Sequence, residues 1–445
     1  MSFITDKQTL DDLNVLGKYK PNSIFNLFNR VQTAGGEKLL EHLFQHPLTD
    51  AAEINKRSRI FRYFHTQQLV FPFLPEQFNT MENYLYAAGA GNLLYAGISG
   101  LKKQLLGATI KDSQYEQLLS GIKAAINILN VFYGFIDKLT GLDADHPYLE
   151  QVRVVQAILT DKRLDGLIKE RGTSSLSFAR VVRYDHLFRN LLQTEMKTLM
   201  EIIHHLDVYI AVGHVARSRS FSHAEALPKE KNIFLAEELR HPGLEKGIAN
   251  PVSLHQDSNL IFLTGANMAG KSTFMKTFGI SVYLAHMGFP VAAKSLVFSV
   301  RDGIYTSINV PDNLNLGYSH FYAEVLRVKK VAEEVSRSKD LVVIFDELFK
   351  GTNVKDAYDA TLAVTAAFAA YRNCLFIIST HIIEVGEALQ KEHGHMKFLY
   401  LPTVMDGNIP RYTYQLQEGI TTDRQGMMII RNEGILEILR EKRRT

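Results

Sequence analysis

The sequence predicts two architectures in series: an α-helical domain over residues 1–225, then an α/β domain over residues 226–445 with a parallel-rich sheet and flanking helices. Three observations carry this. From about Ile24 to Leu227 the dominant apolar period is helical, with few strand-like runs. At the polar stretch Ser220–Lys231 the pattern changes, and beyond it apolar runs of four to six residues alternate with helical stretches. The third is a glycine-bounded segment, Gly265–Ser272, lodged between one such run and a helical stretch.

The elements follow in order. Between Phe178 and Arg219, residues Leu192, Met196, Leu199, Ile203, Leu206 and Ile210 recur at spacings of four and three, one apolar stripe along a long helix that suits core packing. Basic residues Lys162, Arg163, Lys169, Arg171, Arg180, Arg183 and Arg189 gather around a turn expected at Gly172–Ser175, either as a solvated helical face or as a phosphate-contacting patch. Asn259–Leu263, Leu341–Phe345 and Cys374–Ile378 read as buried parallel strands, each running into polar residues at its C-terminal end, where ligands of such sheets sit. Arg440–Thr445 reads as a solvated helix end.

Composition bounds the rest. With 445 residues, two to four domains can each bury a core. The single cysteine, Cys374, excludes an intramolecular disulfide and a cysteine-based metal cluster, and suits the reducing cytoplasm. Lys and Arg number 50 against 47 Asp and Glu, and residues 1–230 carry 26 basic and 24 acidic side chains, so any nucleic-acid contact must come from a local patch. No uninterrupted apolar segment reaches the roughly 18–20 residues of a membrane span; the nearest is Tyr84–Gly100. Met1–Leu16 lacks the basic end and apolar stretch of a signal peptide. No membrane partner is expected.

Gly265-Ala266-Asn267-Met268-Ala269-Gly270-Lys271-Ser272 fits G-x-x-x-x-G-K-[ST] directly after a strand and before the helical stretch Thr273–His286. The glycines permit positive φ and close backbone approach, so successive N–H groups can cradle nucleotide phosphates; Lys271 then reaches the β- and γ-phosphates, and Ser272 ligates Mg²⁺. This makes the second domain a P-loop NTPase. Asp346 ends a strand beside that loop, placed to hold Mg²⁺, and Glu347 follows to polarise an attacking water. His381, in Ser379-Thr380-His381 after the third strand, could sense the γ-phosphate or hold the water. Ser319 caps a helix with the apolar face Phe321, Val325, Val328, Ala332 and Val335, and a serine at a helix start is also an anion site. His204, His205, His393 and His395 form no convincing metal constellation.

Taken together, these residues resemble the MutS family of DNA mismatch-repair ATPases. The resemblance runs in order through Arg240-His-Pro242, Ile248-Ala-Asn-Pro251, Thr264–Thr273 with its Asn267-Met268 pair, Asp312–Leu314, Gly317–Glu324, Asp346–Asn353 and Ser379–His381. In the first half, Ser23–Asn29, Thr33–Gly36, Leu39-Leu40 and Pro47-Leu48 look like the opening of the family's helical core, and the long helix to Arg219 resembles its lever, so that the resemblance implies a core/lever domain over residues 1–225. The resemblance implies an ABC-type ATPase that binds ATP and Mg²⁺ through Gly265–Thr273 and Asp346, activates water with Glu347, completes the site with His381, and offers Ser319 to the nucleotide of a homodimer partner. It implies coupling to mismatched, branched or distorted DNA, with Arg180 and Arg183 the candidate DNA contacts. The chain departs from the family at several places. The core begins near residue 20, so the family's mismatch reader with its Phe-x-Glu motif is expected to be absent and the DNA clamp reduced or absent. Gly247 stands where an adenine-stacking aromatic is common, Phe349 where glycine is usual, and Tyr318 and His320 also differ. Besides the DNA-coupled ATPase, a nucleotide-switched dimerisation or scaffold module without DNA contact fits the near-neutral first half. A transporter ATPase subunit would need a coupling surface that the sequence does not offer.

Overall fold

The computed structural model describes the chain apart from residues 1, 18–19, 88–108, 168–169, 171–175, 267, 309–319, 393, 407–408, 422–433, 436–437 and 440–445, and apart from the side chains of 109–114, 320, 406 and 409. Asn267 and Ser319, the Gly172–Ser175 turn, Lys169, Arg171, His393 and the 440–445 end therefore lie outside the described residues. The helices are α1 Lys7–Asp12, α2 Ile24–Phe28, α3 Ala34–Gln45, α4 Ala51–Gln67, α5 Pro75–Tyr86, α6 Thr109–Ile136, α7 Leu149–Leu159, α8 Phe178–His186, α9 Gln193–Ser218, α10 Lys271–His286, α11 His320–Ser336, α12 Val354–Ala369 and α13 Ile383–Glu392. The strands are β1 Ser222–His223, β2 Glu225–Leu227, β3 Ile233–Leu239, β4 Asn250–His255, β5 Leu260–Gly265, β6 Pro290–Val291, β7 Ser295–Ser299, β8 Gly303–Ser307, β9 Leu341–Phe345, β10 Leu375–Ser379, β11 Met396–Leu401, β12 Thr403–Asp406, β13 Ile409–Tyr412 and β14 Gln417–Glu418. They form two compact units: residues 1–28, 43–58 and 215–445 in one, residues 29–42 and 59–214 in the other.

In the helical unit the expected stripe is buried at all six positions, but so are Met200, Val208, Ala211 and Val212, which makes α9 a central helix rather than an amphipathic one. The expected single long helix is also interrupted. Residues Leu187–Leu191 form one π-helical turn, and Leu192 leaves helical geometry before α9 starts. Asp207 of α9 fixes the start of α3: its carboxylate accepts from Thr33 N at 2.7 Å and Thr33 Oγ1 at 2.8 Å, while Thr33 Oγ1 in turn accepts from Gly36 N at 2.9 Å. His204 lies 3.4 Å from Glu82 and edge-on to Phe78, a packing role. Among the described residues no group of three or more His, Cys, Asp or Glu could hold a metal. Tyr115–Ile136 is, by length and composition, apolar enough to cross a membrane, although no uninterrupted apolar run marks it in the sequence. It is mostly buried, with Ile122, Ala125, Ile128, Leu129 and Phe132 in the core of this unit.

The other unit is built on a six-stranded sheet of order β14-β11-β5-β10-β9-β8, parallel except for β14. Every residue of β5, β8, β9 and β10 is buried, as continuous apolar runs covered on both faces require. Val343, Phe345, Phe376 and Ile378 point into one core with Val328, Val331 and Val335 of α11, Phe368 of α12 and Val385 and Leu389 of α13. A second sheet, β2-β7-β3-β4, lies in the same unit.

The first residues of the chain close the open edge of the larger sheet. Ile4 pairs with Gly303 in parallel, donating to Asp302 O at 2.8 Å and accepting from Ile304 N at 2.9 Å. A Cβ at Gly303 would sit 2.2 Å from Ile4 O, so only glycine admits this strap. Thr9 Oγ1 then accepts from Thr306 N at 3.0 Å, and Asp12 accepts from Thr306 Oγ1 at 2.7 Å and Ile308 N at 2.9 Å. Asp6 caps α1 and takes ion pairs from Arg327 and Lys330 of α11. Burial pushes its pKa up, but the bonds from Arg327 and Lys330 outweigh this and hold it well below the usual carboxylate range. Its stabilisation is therefore present above the unfolded value of about 4 and is lost as the pH falls below it. Asp6→Asn is expected to cost roughly 1–3 kcal/mol in urea unfolding at pH 7. The gap between the two proteins should close when the titration is repeated at progressively lower pH under about 4.

Candidate active site

β5 leads into a turn that few sequences could make. Gly265 has φ +149° and Gly270 φ +104°, and Met268 between them also has a positive φ, +70°. Gly270 ends the turn and α10 starts at once, with no side-chain cap on its first N–H groups among the described residues. Those donors remain available to an anion, as does the positive end of the helix dipole. Lys271, only 5% exposed, folds back so that Nζ donates to Gly265 O at 2.8 Å and Ala266 O at 3.3 Å. Burial lowers its pKa while the charges of Asp346 and Glu347 support the ammonium form. The next residue, Ser272, donates from Oγ to Asp346 Oδ2 at 2.5 Å. Thr273 opens the helix backbone, its carbonyl accepting from Thr277 Oγ1 at 2.7 Å.

Asp346 follows β9, between β8 and β10 in the sheet. Its N–H donates to Ser307 O at 2.9 Å and its Oδ1 accepts from Ser379 Oγ at 2.5 Å, so both carboxylate oxygens and the amide are engaged. Glu347 adopts φ +56°, an unfavourable conformation for a side chain of its size, costing about 1 kcal/mol or more. It is held there by Ser379, whose carbonyl and hydroxyl both lie within reach of Glu347 N, at 3.1 and 3.2 Å. The result aims its carboxylate at His381 Nε2, with Lys350 at 3.5 Å on the other oxygen. The hydrogen bond from His381, opposed by burial and aided by the charges of Lys350 and Lys271, lowers the Glu347 pKa to about 2. It is a carboxylate throughout the neutral range.

Thus Lys271, Ser272, Asp346, Glu347 and His381 meet at the C-terminal ends of three adjacent strands, β5, β10 and β9. Asn267 and Ser319 fall outside the described residues. Ala266 and Ala269 line the turn through their backbone, whereas Met268 is 77% exposed. Two further contributors were missed. Ser379 is fully buried and serves both acidic residues; its hydroxyl at a strand end was a visible signal. Tyr414 lies against Gly270, where a Cβ would come within 3.0 Å of its Cδ1. It is held by Asn250, which donates to Tyr414 O at 2.9 Å and accepts from Leu416 N at 2.7 Å. Nothing local in the sequence marks this pairing. Arg180 pairs with Glu170 at 2.8 Å, while Arg183 lines a groove of about 370 Å³ with Arg163, Val182, His186 and Leu191 in the helical unit.

Two family models match the chain: MutS domain III over residues 8–213 and MutS domain V over residues 261–443, the second spanning the strand ends just described. The chain belongs to the MutS family. Among its relatives is a DNA mismatch repair protein MutS of Petrotoga mobilis, 26% identical over 382 residues, which takes in 81% of this chain and 46% of that protein. A second, from Leuconostoc mesenteroides, is 29% identical over 250 residues, 54% of this chain and 29% of that protein. The MutS-family chain thus spans less than half the length of these curated relatives.

In this MutS-family chain Gly270→Ala is expected to lower unfolding free energy by roughly 1–3 kcal/mol, because an L side chain is strained at that φ and collides with Tyr414. Gly134→Ala serves as the contrast. Gly134 lies within α6 with nothing within 4 Å of an added Cβ, and its substitution should stabilise by about 0.4–1 kcal/mol in the same denaturation assay.

Proposed function

We propose that this MutS-family chain is a P-loop ATPase that hydrolyses ATP to ADP and phosphate in a site completed by a second copy, and that couples the cycle to binding mismatched, branched or distorted DNA. The observation that carries the reading is the convergence of Lys271, Ser272, Asp346, Glu347 and His381 beside an uncapped helix start. The backbone of Gly265–Thr273, including Asn267, cradles the phosphates. Lys271 exchanges its two loop carbonyls for phosphate oxygens, a charge-assisted bond stronger than the ones it gives up.

Ser272 Oγ and Asp346 Oδ2 face one another as hard oxygen donors, the pair that suits Mg²⁺ shared with substrate phosphates rather than an all-protein cage. When bound there, Mg²⁺ supplies neutralisation of charge developing on the phosphoryl oxygens. Glu347, ionised and fixed by Ser379, orients the attacking water. The Glu347–His381 pair receives the proton that leaves it. Tyr414, half-exposed beside Gly270, offers an aromatic surface at the mouth of the turn. Ser319 is assigned to the partner's nucleotide, and the working boundary between lever and motor is placed near residue 225. The single thiol, Cys374, is buried, which suits the reducing cytoplasm.

A second reading is favoured by one observation: three basic residues of the expected patch are committed to partners within the helical unit. Arg180 pairs with Glu170, Arg163 with Asp161 and Glu195, and Arg189 with Asp185 and the Tyr84 carbonyl. A nucleotide-switched dimerisation module without direct DNA contact would have this character.

Lys271→Ala is expected to abolish ATP binding. Glu347→Gln should bind ATP as the parent does but hydrolyse it about 100-fold more slowly or worse, measured by equilibrium binding and phosphate release. Equal turnover of parent and Glu347→Gln would remove the mechanism. For DNA, affinity for duplex, mismatch and four-way substrates is followed across salt. The DNA-coupled reading expects a steep fall with salt whose slope flattens by about one for each phosphate-contacting arginine removed, Arg183→Ala first. No binding at low salt favours the scaffold module.

A further inference from the structure

The loop that follows the acidic pair carries a feature that its position at the strand end does not require. Glu347 and Phe349 both adopt left-handed backbone conformations, φ +56° and +62°, two residues apart. A bulky aromatic side chain enters that region only when its surroundings hold it there. Here the surroundings are the first turn of α11. The Phe349 ring is 4% exposed, with its centroid 6.1 Å from that of Phe321 and the two planes at 60°. The backbone presses on the same turn, since a Cβ on Gly351 would come 2.9 Å from Phe321 N. On the other side Leu348 is buried, and its carbonyl accepts from Thr361 Oγ1 of α12 at 3.3 Å. The loop is therefore short, strained and clamped between two helices. The turn that aims Glu347 outward at His381 is continuous with the turn that drives Phe349 inward onto Phe321.

We propose that Phe349 is a positioning residue that locks the Glu347 loop to the first turn of α11, so that the placement of the Glu347 carboxylate and the placement of this helix start change together. The inference rests on the ATPase reading, and it deepens it. α11 begins at the residue after Ser319, so the lock joins the part of the site that would act on a chain's own nucleotide to the element that would face the partner's. Phe349 touches neither phosphate nor water in this scheme. It acts through Glu347 and Phe321.

The test uses the full chain. Phe349→Gly removes the ring while tolerating the positive φ, so the loop can still be built. It is expected to bind a fluorescent ATP analogue within twofold of the parent, to lose at least tenfold in kcat with little change in KM, and to lose ATP-driven self-association. Phe321→Ala should produce the same fall, and the double variant should fall no further than either single one. Phe349→Leu, which refills the volume, should recover most of kcat. A readout independent of turnover is amide hydrogen exchange in nucleotide-free protein, where residues 321–324 should exchange at least tenfold faster in Phe349→Gly. Parental kcat in folded Phe349→Gly, multiplicative losses in the double variant, or unchanged exchange at 321–324 would each overturn the lock. Failure of the underlying reading looks different: the parent and Lys271→Ala would then be equally inert, whereas an active parent beside an inert Lys271→Ala and a fully active Phe349→Gly condemns the lock alone.

Discussion

The site depends on one carboxylate. Asp346 is nearly buried, and an ionised group there is tolerable only if its oxygens are satisfied. Ser272 satisfies one from the start of α10, Ser379 satisfies the other from the end of β10, and the Asp346 amide reaches sideways to Ser307 at the end of β8. Four neighbouring segments are thereby brought to one point by a single residue at the tip of β9. The same arrangement fixes Glu347, because Ser379, once turned toward Asp346, also meets the Glu347 amide and holds it in a backbone conformation it would not adopt alone. Left-handed geometry at Glu347, the aim of its carboxylate and the low pKa that His381 imposes all descend from that carboxylate and its two serines.

Much of this was legible because it is local. Strands expected at 259–263, 341–345 and 374–378 appear at 260–265, 341–345 and 375–379, since a continuous run of β-branched and aromatic residues bounded by polar ones has few other uses. The turn before α10 announced itself through glycines at the positions that need positive φ. The face of α11 was readable too: Val328 and Val335 are buried, and Phe321, Val325 and Ala332 pack against the same core. What escaped is what joins distant residues. The strap of Ile4 to Asp12 over β8 spans some 300 positions, and its residues read individually as an unremarkable polar start. Membership of residues 1–28 and 43–58 in the sheet unit escaped for the same reason, as composition changes only near residue 225. The π-helical turn at Leu187–Leu191 escaped because the apolar spacing continues through it, and Tyr414 because its place is set by Asn250, 164 residues earlier.

The strap also shows how the sheet manages its exposed side. β8 is the outermost strand of the parallel set, and an uncovered edge strand invites pairing with another chain. Ile4 occupies its first hydrogen-bonding positions, and Thr9 and Asp12 then replace strand pairing with side-chain oxygens aimed at Thr306 and Ile308. That substitution ends the sheet without leaving backbone donors unmet. It also brings Asp6 to Arg327 and Lys330, so α11 is anchored to the strap partway along its length as well as to Phe349 at its first turn. A helix held at both places can turn or shift only as a body, a geometry suited to carrying a displacement from one end to the other.

The charge balance at the turn argues for the order in which such a site fills. Asp346 and Glu347 stand close enough to Lys271 to support its charge, and Lys271 spends its donors on the carbonyls of Gly265 and Ala266. On the proposed reading, a polyphosphate alone would meet one ammonium and the α10 N-terminus on one side but two carboxylates on the other, whose repulsion opposes the attraction. On the proposed reading, a divalent cation held by Ser272 and Asp346 would reverse the sign of that second contribution. The Ser272–Asp346 hydrogen bond brings together the two oxygens that the proposed reading assigns to the cation. On the proposed reading, nucleotide affinity would depend on the two carboxylates as well as on the lysine, and phosphate without a counter-cation would be a poor ligand.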